Sequence, residues 1–73
     1  MAISTHSARI TGPVSYQAAG GALQQIPLGP CLVELAGGSL VDIIWGHSGQ
    51  RCAALPTVDV EAARHQGHLV LLD

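Results

Sequence analysis

The sequence predicts a mainly β domain, a small barrel or sandwich of five to six short antiparallel strands with one short helix near the C-terminus. Two observations indicate this class. Short apolar stretches alternate with glycine pairs and prolines, which is typical of strands joined by tight turns. One segment, residues 57–67, carries the start and stop signals of a helix.

The length of 73 residues predicts a single domain. Residues 1–8 are small, polar and aperiodic, so we expect a flexible N-terminal arm followed by one β domain over residues 9–73. A chain this short lies near the lower limit of independent stability. Such domains commonly gain stability from a disulfide, a metal or another subunit.

The first predicted hairpin is centred on Gly20-Gly21. Two-residue hairpin turns need positive φ angles, which glycine adopts without strain. Residues 14–19 are therefore expected to pair with residues 22–28. Glutamines at positions 17, 24 and 25 leave the inner and outer faces of these two strands undefined.

The second predicted hairpin is centred on Gly37-Gly38 and pairs residues 31–36 with residues 39–45. Because alternate residues of a strand point to opposite faces, each strand divides into two sets. One face is expected to carry Cys31, Val33 and Leu35, together with Val41, Ile43 and Trp45. The opposite, wetter face is expected to carry Leu32, Glu34, Leu40, Asp42 and Ile44.

The remaining elements complete a meander. Residues 50–55 predict a third strand that ends at Pro56, and Thr57 is a candidate N-cap for a helix over residues 58–66, with Gly67 after its end. Residues 68–72 predict a final buried strand. The order of strand meander, short helix and closing strand, over about residues 28–72, resembles an SH3-like small barrel in architecture.

The composition predicts an exposed apolar surface. Hydrophobic residues make up 48% of the chain and charged residues only 11%, and the mean hydropathy is +0.37. A small domain has too little interior to bury that much apolar surface, and exposed apolar patches usually mark contacts. We therefore expect a homo-oligomer or a complex with another protein.

The charge pattern disfavours nucleic acid as a partner. The formal net charge is −2, lysine is absent, and the cations are Arg9, Arg51 and Arg64. Affinity for nucleic acid depends largely on cations that neutralise phosphates, and three scattered arginines form no basic stripe. The absence of lysine, asparagine and phenylalanine fits a G+C-rich genome and therefore a bacterium.

The sequence predicts a cytoplasmic protein that does not enter a membrane. Its first residues lack the basic and apolar regions of a signal peptide, and Glu34 and Asp42 interrupt the best apolar run. In the cytoplasm the two cysteines, Cys31 and Cys52, are expected to be reduced, as small buried core residues.

Catalytic signatures are missing from the sequence, so we expect no enzyme and no cofactor. The glycine-rich segments lack the Lys-Ser/Thr of a phosphate loop, and Ser48 lies in G-x-S-G rather than G-x-S-x-G. Two alternatives stay open. One is a Cys–His pair, in which Cys31 or Cys52 approaches His47, His65 or His68, and the other is a metal site in which His47, Cys52 or Cys31 completes a set begun by His65 and His68.

Trp45 is the residue with the greatest potential for binding. One interpretation makes it the largest core side chain. The other makes it an anchor for a partner, with Tyr16, Arg51 and His47 around it, because Trp, Tyr and Arg dominate binding hot spots. A second contact surface is expected on the wetter strand face, at Leu32, Leu40 and Ile44.

The leading functional hypothesis is a non-enzymatic interaction or regulatory module that acts through an apolar β-face and is oligomeric. Two alternatives stay open. One is a small-barrel nucleic-acid-binding protein whose arginines cluster on oligomerisation. The other is an enzyme or metal site that forms only at a subunit interface.

Overall fold

The computed structural model of the chain describes residues 4–18, 20–35, 38–46 and 51–72. Their elements form a mainly β fold with one short helix near the C-terminus, as the sequence predicts. In chain order they are β1 (Ser4–Ile10), β2 (Ser15–Gln17), β3 (Leu23–Gln25), β4 (Gly29–Leu35), β5 (Leu40–Trp45), β6 (Arg51–Pro56), α1 (Thr57–His65) and β7 (Leu69–Leu71).

The strands form two antiparallel sheets. The larger has five strands in the order β6-β5-β4-β1-β7, and the smaller consists of β2 and β3. The pairing of the strands predicted for the second hairpin and the third strand is confirmed, because β4 pairs with β5 and β5 pairs with β6. The register of the second hairpin differs by one residue from that of a two-residue turn at Gly37-Gly38, since Leu35 pairs with Val41 and not with Leu40. In the described residues β6 and β7 are the edges of the larger sheet.

The inner face of the larger sheet is apolar and packs against α1 and the small sheet. The alternation predicted for the second hairpin is confirmed over most of its length, since Val33, Val41 and Ile43 are nearly inaccessible while Leu32 and Asp42 are exposed. Leu35 is the exception, because it was expected on the inner face but is 38% exposed at the end of β4. Helix α1 contributes two buried residues to this core. The core cluster comprises Ala8, Ile10, Val14, Ile26, Cys31, Val33, Val41, Ile43, Trp45, Ala53, Leu55, Val60, Ala63 and Leu69.

The segment expected to be a flexible N-terminal arm differs from that prediction from Ser4 onward. Ser4–Ile10 is a strand rather than a loose segment, and it lies between β4 and β7 with hydrogen-bonded partners on both sides. Ala8 and Ile10 are each only 1% exposed. The small polar residues of this strand carry little intrinsic β signal, so pairing on both sides determines its conformation. Residues 1–3 lie outside the described residues.

The first hairpin forms with a wider turn than predicted. Strands β2 and β3 pair as expected, and Gly20 and Gly21 have φ of +89° and +87°. The closing pair is Ala18 and Ala22, whose N–H and carbonyl are joined by a 2.8 Å hydrogen bond. A two-residue turn would have closed one residue later, at position 19. Gly37 of the other predicted turn lies outside the described residues.

The helix ends as predicted but begins differently. The N-cap is Pro56, and no side chain caps the helix, so Thr57 is its first residue and not its cap. At the other end Gly67 has a φ of +78°, its N–H donates to the Arg64 carbonyl, and the His68 N–H donates to the Ala63 carbonyl. This pair of bonds is a Schellman motif, which requires a left-handed residue that glycine supplies.

The prediction of a fully buried closing strand is also corrected, because only one face of β7 is buried. Leu69 is 2% exposed, whereas Val70 is 42% exposed. As an edge strand of a sheet with one buried face, β7 has side chains that alternate between the core and the solvent.

Helix α1 has nine residues, far fewer than the ~20 that cross a bilayer, and no other helix occurs in the described part of the chain.

Candidate functional site

The solvent face of the large sheet carries a continuous line of side chains that we call the outer row. Register pairs join Cys52 to Ile44, Ile44 to Leu32, and Leu32 to Ser7. The line continues to Leu72, whose N–H donates to the Ser7 carbonyl over 2.8 Å. The outer row therefore crosses β6, β5, β4 and β1 and reaches the residue after β7. It consists of three aliphatic side chains, one thiol and one hydroxyl.

The aliphatic residues of the outer row are accessible. Leu32 is 40% exposed and Leu72 is 58% exposed, while Ile44 is half-buried. They border a shallow groove of about 370 Å³ that reaches Pro30 and the edge of Trp45. Of the three residues predicted for this face, Leu32 and Ile44 come together in the outer row.

Leu40 lies outside the outer row. It pairs with Pro56, and Asp42 separates it from Ile44 along β5. Asp42 is also the register partner of Glu34. Two carboxylates therefore lie side by side on the solvent face, two residues along β4 and β5 from the outer row. On the other side of the outer row the charge is positive, because Arg9 lies opposite Pro30 and Val70.

The aromatic set predicted around Trp45 forms a second site, which we call the edge groove. Tyr16 meets Trp45 edge-on, with ring centroids 5.4 Å apart, and Arg51 is the register partner of Trp45. The groove holds about 540 Å³ between strand β6 and the small sheet. It is lined by Tyr16, Gln17, Ala18, Gln24, Trp45 and residues 51–54.

Trp45 belongs to the core and also borders the grooves. It is 8% exposed and packs among the buried residues of the inner face, which is the core role considered for it above. Tyr16 is half-buried, and its hydroxyl donates to Gln24 Oε1 over 3.1 Å. His47, the fourth residue predicted for this set, lies outside the described residues. Gln17 and Gln24 were not predicted, because isolated glutamines carry no distinctive sequence signal.

The two cysteines differ in environment. Cys31 is buried, and desolvation raises the pKa of its thiol above the ordinary value of 9.0. Cys52 is exposed in the outer row, so the expectation that both thiols are buried is wrong for this residue. A buried thiol of raised pKa is a poor nucleophile because little of it is thiolate.

The two described histidines of the predicted set, His65 and His68, lie at the end of α1 and just after it. His65 is exposed at the end of α1, whereas the ring of His68 is held with its Nδ1 3.1 Å from the Pro13 carbonyl oxygen. Within residues 4–18, 20–35, 38–46 and 51–72, no three His, Cys, Asp or Glu side chains lie close enough to hold a metal.

The three arginines occupy three different elements. Arg9 is on β1, Arg51 begins β6, and Arg64 is on α1, where its guanidinium lies 3.2 Å from Glu61. The outer face that carries Arg9 also carries Glu34 and Asp42, which repel phosphate. No protein-family model, curated protein or solved structure matches this chain.

Proposed function

We propose that this protein is a non-enzymatic interaction module that associates with a second copy of itself through the outer row. The observation that carries the proposal is the alignment of Leu72, Leu32 and Ile44 in one line on the solvent face of the sheet. Large apolar side chains on a solvent face lose contact with water only when another surface covers them, which is favourable by roughly 25 cal/mol per Å².

The exposure of individual side chains supports association, because Leu32 and Leu72 leave 40% and 58% of their surface open to water. Five strands spaced at about 4.8 Å make the sheet roughly 24 Å wide. A contact between two faces of this size is small, so we place it at the low end of stable protein interfaces. We therefore expect a weak dimer that dissociates in the micromolar range.

The charges flanking the outer row complement each other across a two-fold axis. Arg9 lies on one side of the row, and Glu34 and Asp42 lie on the other. If the axis runs along the row, Arg9 of one copy faces Thr5 of the second copy, one strand away from its Glu34. The strands of the two sheets would then be aligned, which is the common geometry of packed sheets.

The strand order supports an SH3-like barrel as the finer description of the fold. The strands of the large sheet lie in the order β6-β5-β4-β1-β7. In the chain, the β2–β3 hairpin lies between β1 and β4, and the helix lies between β6 and β7, which is the connectivity of that architecture. The free, exposed thiol of Cys52 supports a reducing compartment such as a bacterial cytoplasm.

Sedimentation equilibrium of the full chain tests the proposed association. Leu32→Thr removes apolar contact from the centre of the outer row but keeps good strand propensity, so we expect the dimer dissociation constant to rise by about tenfold or more. Leu23→Thr is the matched control, because Leu23 is 74% exposed on the small sheet, away from the outer row. It should leave association unchanged.

Two outcomes would contradict the proposal. One is a wild-type chain that stays monomeric up to about 1 mM, the upper range of weak association. The other is an equal loss of association in the two variants, which would mean that general surface hydrophobicity and not the outer row drives assembly.

A further inference from the structure

Strand β6 is an edge of the large sheet, and its outward side borders the edge groove. In the described residues β6 pairs only with β5. In an edge strand, alternate N–H and carbonyl groups point away from the sheet and can pair with another strand. The neighbouring small sheet approaches β6 but does not join its ladder, since β2 pairs with β3.

The backbone of β6 faces the groove. Four consecutive residues of the strand, 51–54, line it. Successive side chains of a strand point to opposite faces, so a groove on one face would contact only alternate residues. Contact with four in a row means that the groove runs along the strand edge. At ~3.3 Å per residue this edge is about 13 Å long, which matches about four residues of an added strand.

The two sides of the groove leave room for another chain. Ala53 and Ala54 on β6 are small, and the opposite side is formed by Tyr16, Gln17 and Gln24 of the small sheet. Between them lies the edge of Trp45. The glutamine amides offer donors and acceptors to a peptide backbone. The volume of about 540 Å³ lies within the usual range of ligand clefts.

The groove carries one kind of charge. Arg51 is the single cation among its described lining residues, and none of them is acidic. A guanidinium binds a carboxylate through two parallel hydrogen bonds, so an acidic side chain is the matching group at this end of the groove. Toward Ala54 the lining is uncharged.

We propose that the edge groove binds an extended, acidic segment of a partner protein as an additional strand beside β6. Backbone hydrogen bonds to β6 supply affinity, and the pair between Arg51 and a carboxylate of the segment fixes its position and direction. This site shares Cys52 with the outer row but runs along the edge of the sheet and not across its solvent face, and the binding does not require the chain to associate with a second copy.

Amide NMR spectroscopy of the ¹⁵N-labelled full chain tests the site with a defined probe. The probe is a mixture of capped hexapeptides with one N-terminal glutamate followed by residues randomised among Val, Thr, Ile, Tyr and Ser. We expect shifts concentrated at residues 51–54 and 16–18, with protection of β6 amides from exchange. A matched mixture with lysine in place of glutamate should bind at least about fivefold more weakly, as expected for loss of one charged pair.

Variants and a modified probe separate strand addition from general attraction. Arg51→Gln should weaken binding of the glutamate mixture, and Arg51→Glu should reverse the preference between the two mixtures. Arg64→Glu, with the same charge change on helix α1 and outside both proposed surfaces, should leave peptide binding unchanged. Two glutamate mixtures methylated on alternate backbone nitrogens, one for each of the two sets, should differ: the set that removes the donors facing β6 should abolish binding, and the other set should retain it.

Three results would overturn the proposal. The first is the absence of β6 shifts up to about 1 mM peptide, a generous limit for strand addition. The second is equal binding by the wild type and Arg51→Glu. The third is a set of shifts confined to the outer row or caused by dilution of the protein alone, which would assign the interaction to a second copy instead.

Discussion

The ring of Tyr16 meets the ring of Trp45 edge-on, with centroids 5.4 Å apart and planes inclined by 62°. Tyr16 belongs to strand β2 of the small sheet, and Trp45 ends strand β5 of the large sheet. This contact therefore joins the two sheets at the point where the edge groove opens. Edge-to-face aromatic pairs add about 0.5–1.5 kcal/mol beyond the area that they bury.

Loss of the Tyr16 ring should destabilise the fold more than loss of its hydroxyl. We expect Tyr16→Ala to lower the free energy of unfolding by about 1–3 kcal/mol and Tyr16→Phe by less than about 1 kcal/mol, since the Gln24 hydrogen bond is exposed. Urea unfolding followed by Trp45, the one tryptophan, measures both. Equal losses would show that the hydrogen bond and not the ring contact joins the sheets.

Gly12 is expected to tolerate no side chain. A Cβ at this position would lie 2.3 Å from His68 Cδ2, and the ring is held by its contact with the Pro13 carbonyl. We expect Gly12→Ala to cost about 1–3 kcal/mol of stability through overpacking. Gly38→Ala is the control, because a Cβ there meets nothing within 4 Å, and it should change stability by less than about 0.5 kcal/mol.

A double variant identifies the cause of the Gly12 effect. If the clash with the ring is responsible, Gly12→Ala in a His68→Ala background should cost much less than in the wild type, with a coupling energy above about 1 kcal/mol. Additive losses would instead indicate that backbone strain at position 12 limits the substitution.

The two thiols should differ in reactivity. Cys52 is exposed and should react rapidly with an aromatic disulfide reagent, whereas Cys31 should react only at the rate at which the protein unfolds. Because Cys52 lies in the outer row, its reaction should also slow as the protein concentration rises past the dimer dissociation constant. A rate for Cys52 that is independent of concentration would argue against burial of this row in a dimer.

The buried thiol should make stability depend on pH in the alkaline range. Burial raises the pKa of Cys31 above 9.0, so above that pH the unfolded chain loses the thiol proton first and binds fewer protons than the folded chain. Stability from this group is therefore complete below pH 9 and falls as the pH rises through the folded-state pKa. Comparison of wild type with Cys31→Ala by urea unfolding at several pH values isolates this contribution, and parallel curves would exclude it.

Sequence reasoning was most successful where alternation and glycine turns agree. Val33, Val41 and Ile43 each adjoin Glu34 or Asp42, and this pattern predicted which strands pair and which face of the β4–β5 hairpin is buried, although not its exact register. It failed at β1, whose small polar residues carry no pattern. That strand depends on partners far away in the chain, β4 and β7, which no local signal reveals.

The candidate sites were predicted in part for similar reasons. Tyr16, Trp45 and Arg51 were grouped by residue type, and they share the edge groove because the small sheet packs beside β6. Cys52 and Leu72 of the outer row were missed, because their alignment with Leu32 follows from the strand register. Register between distant strands is a property of the folded sheet and not of any single segment.

The central claim, that a second copy covers the outer row about a two-fold axis along it, is tested most directly by a charge exchange. Sedimentation equilibrium of Arg9→Glu and of Glu34→Arg should show a dimer weakened by about threefold or more in each case, and the double variant should recover most of the affinity. A wild-type dimer that neither single substitution weakens, or a double variant as weak as the two changes added together, would contradict it.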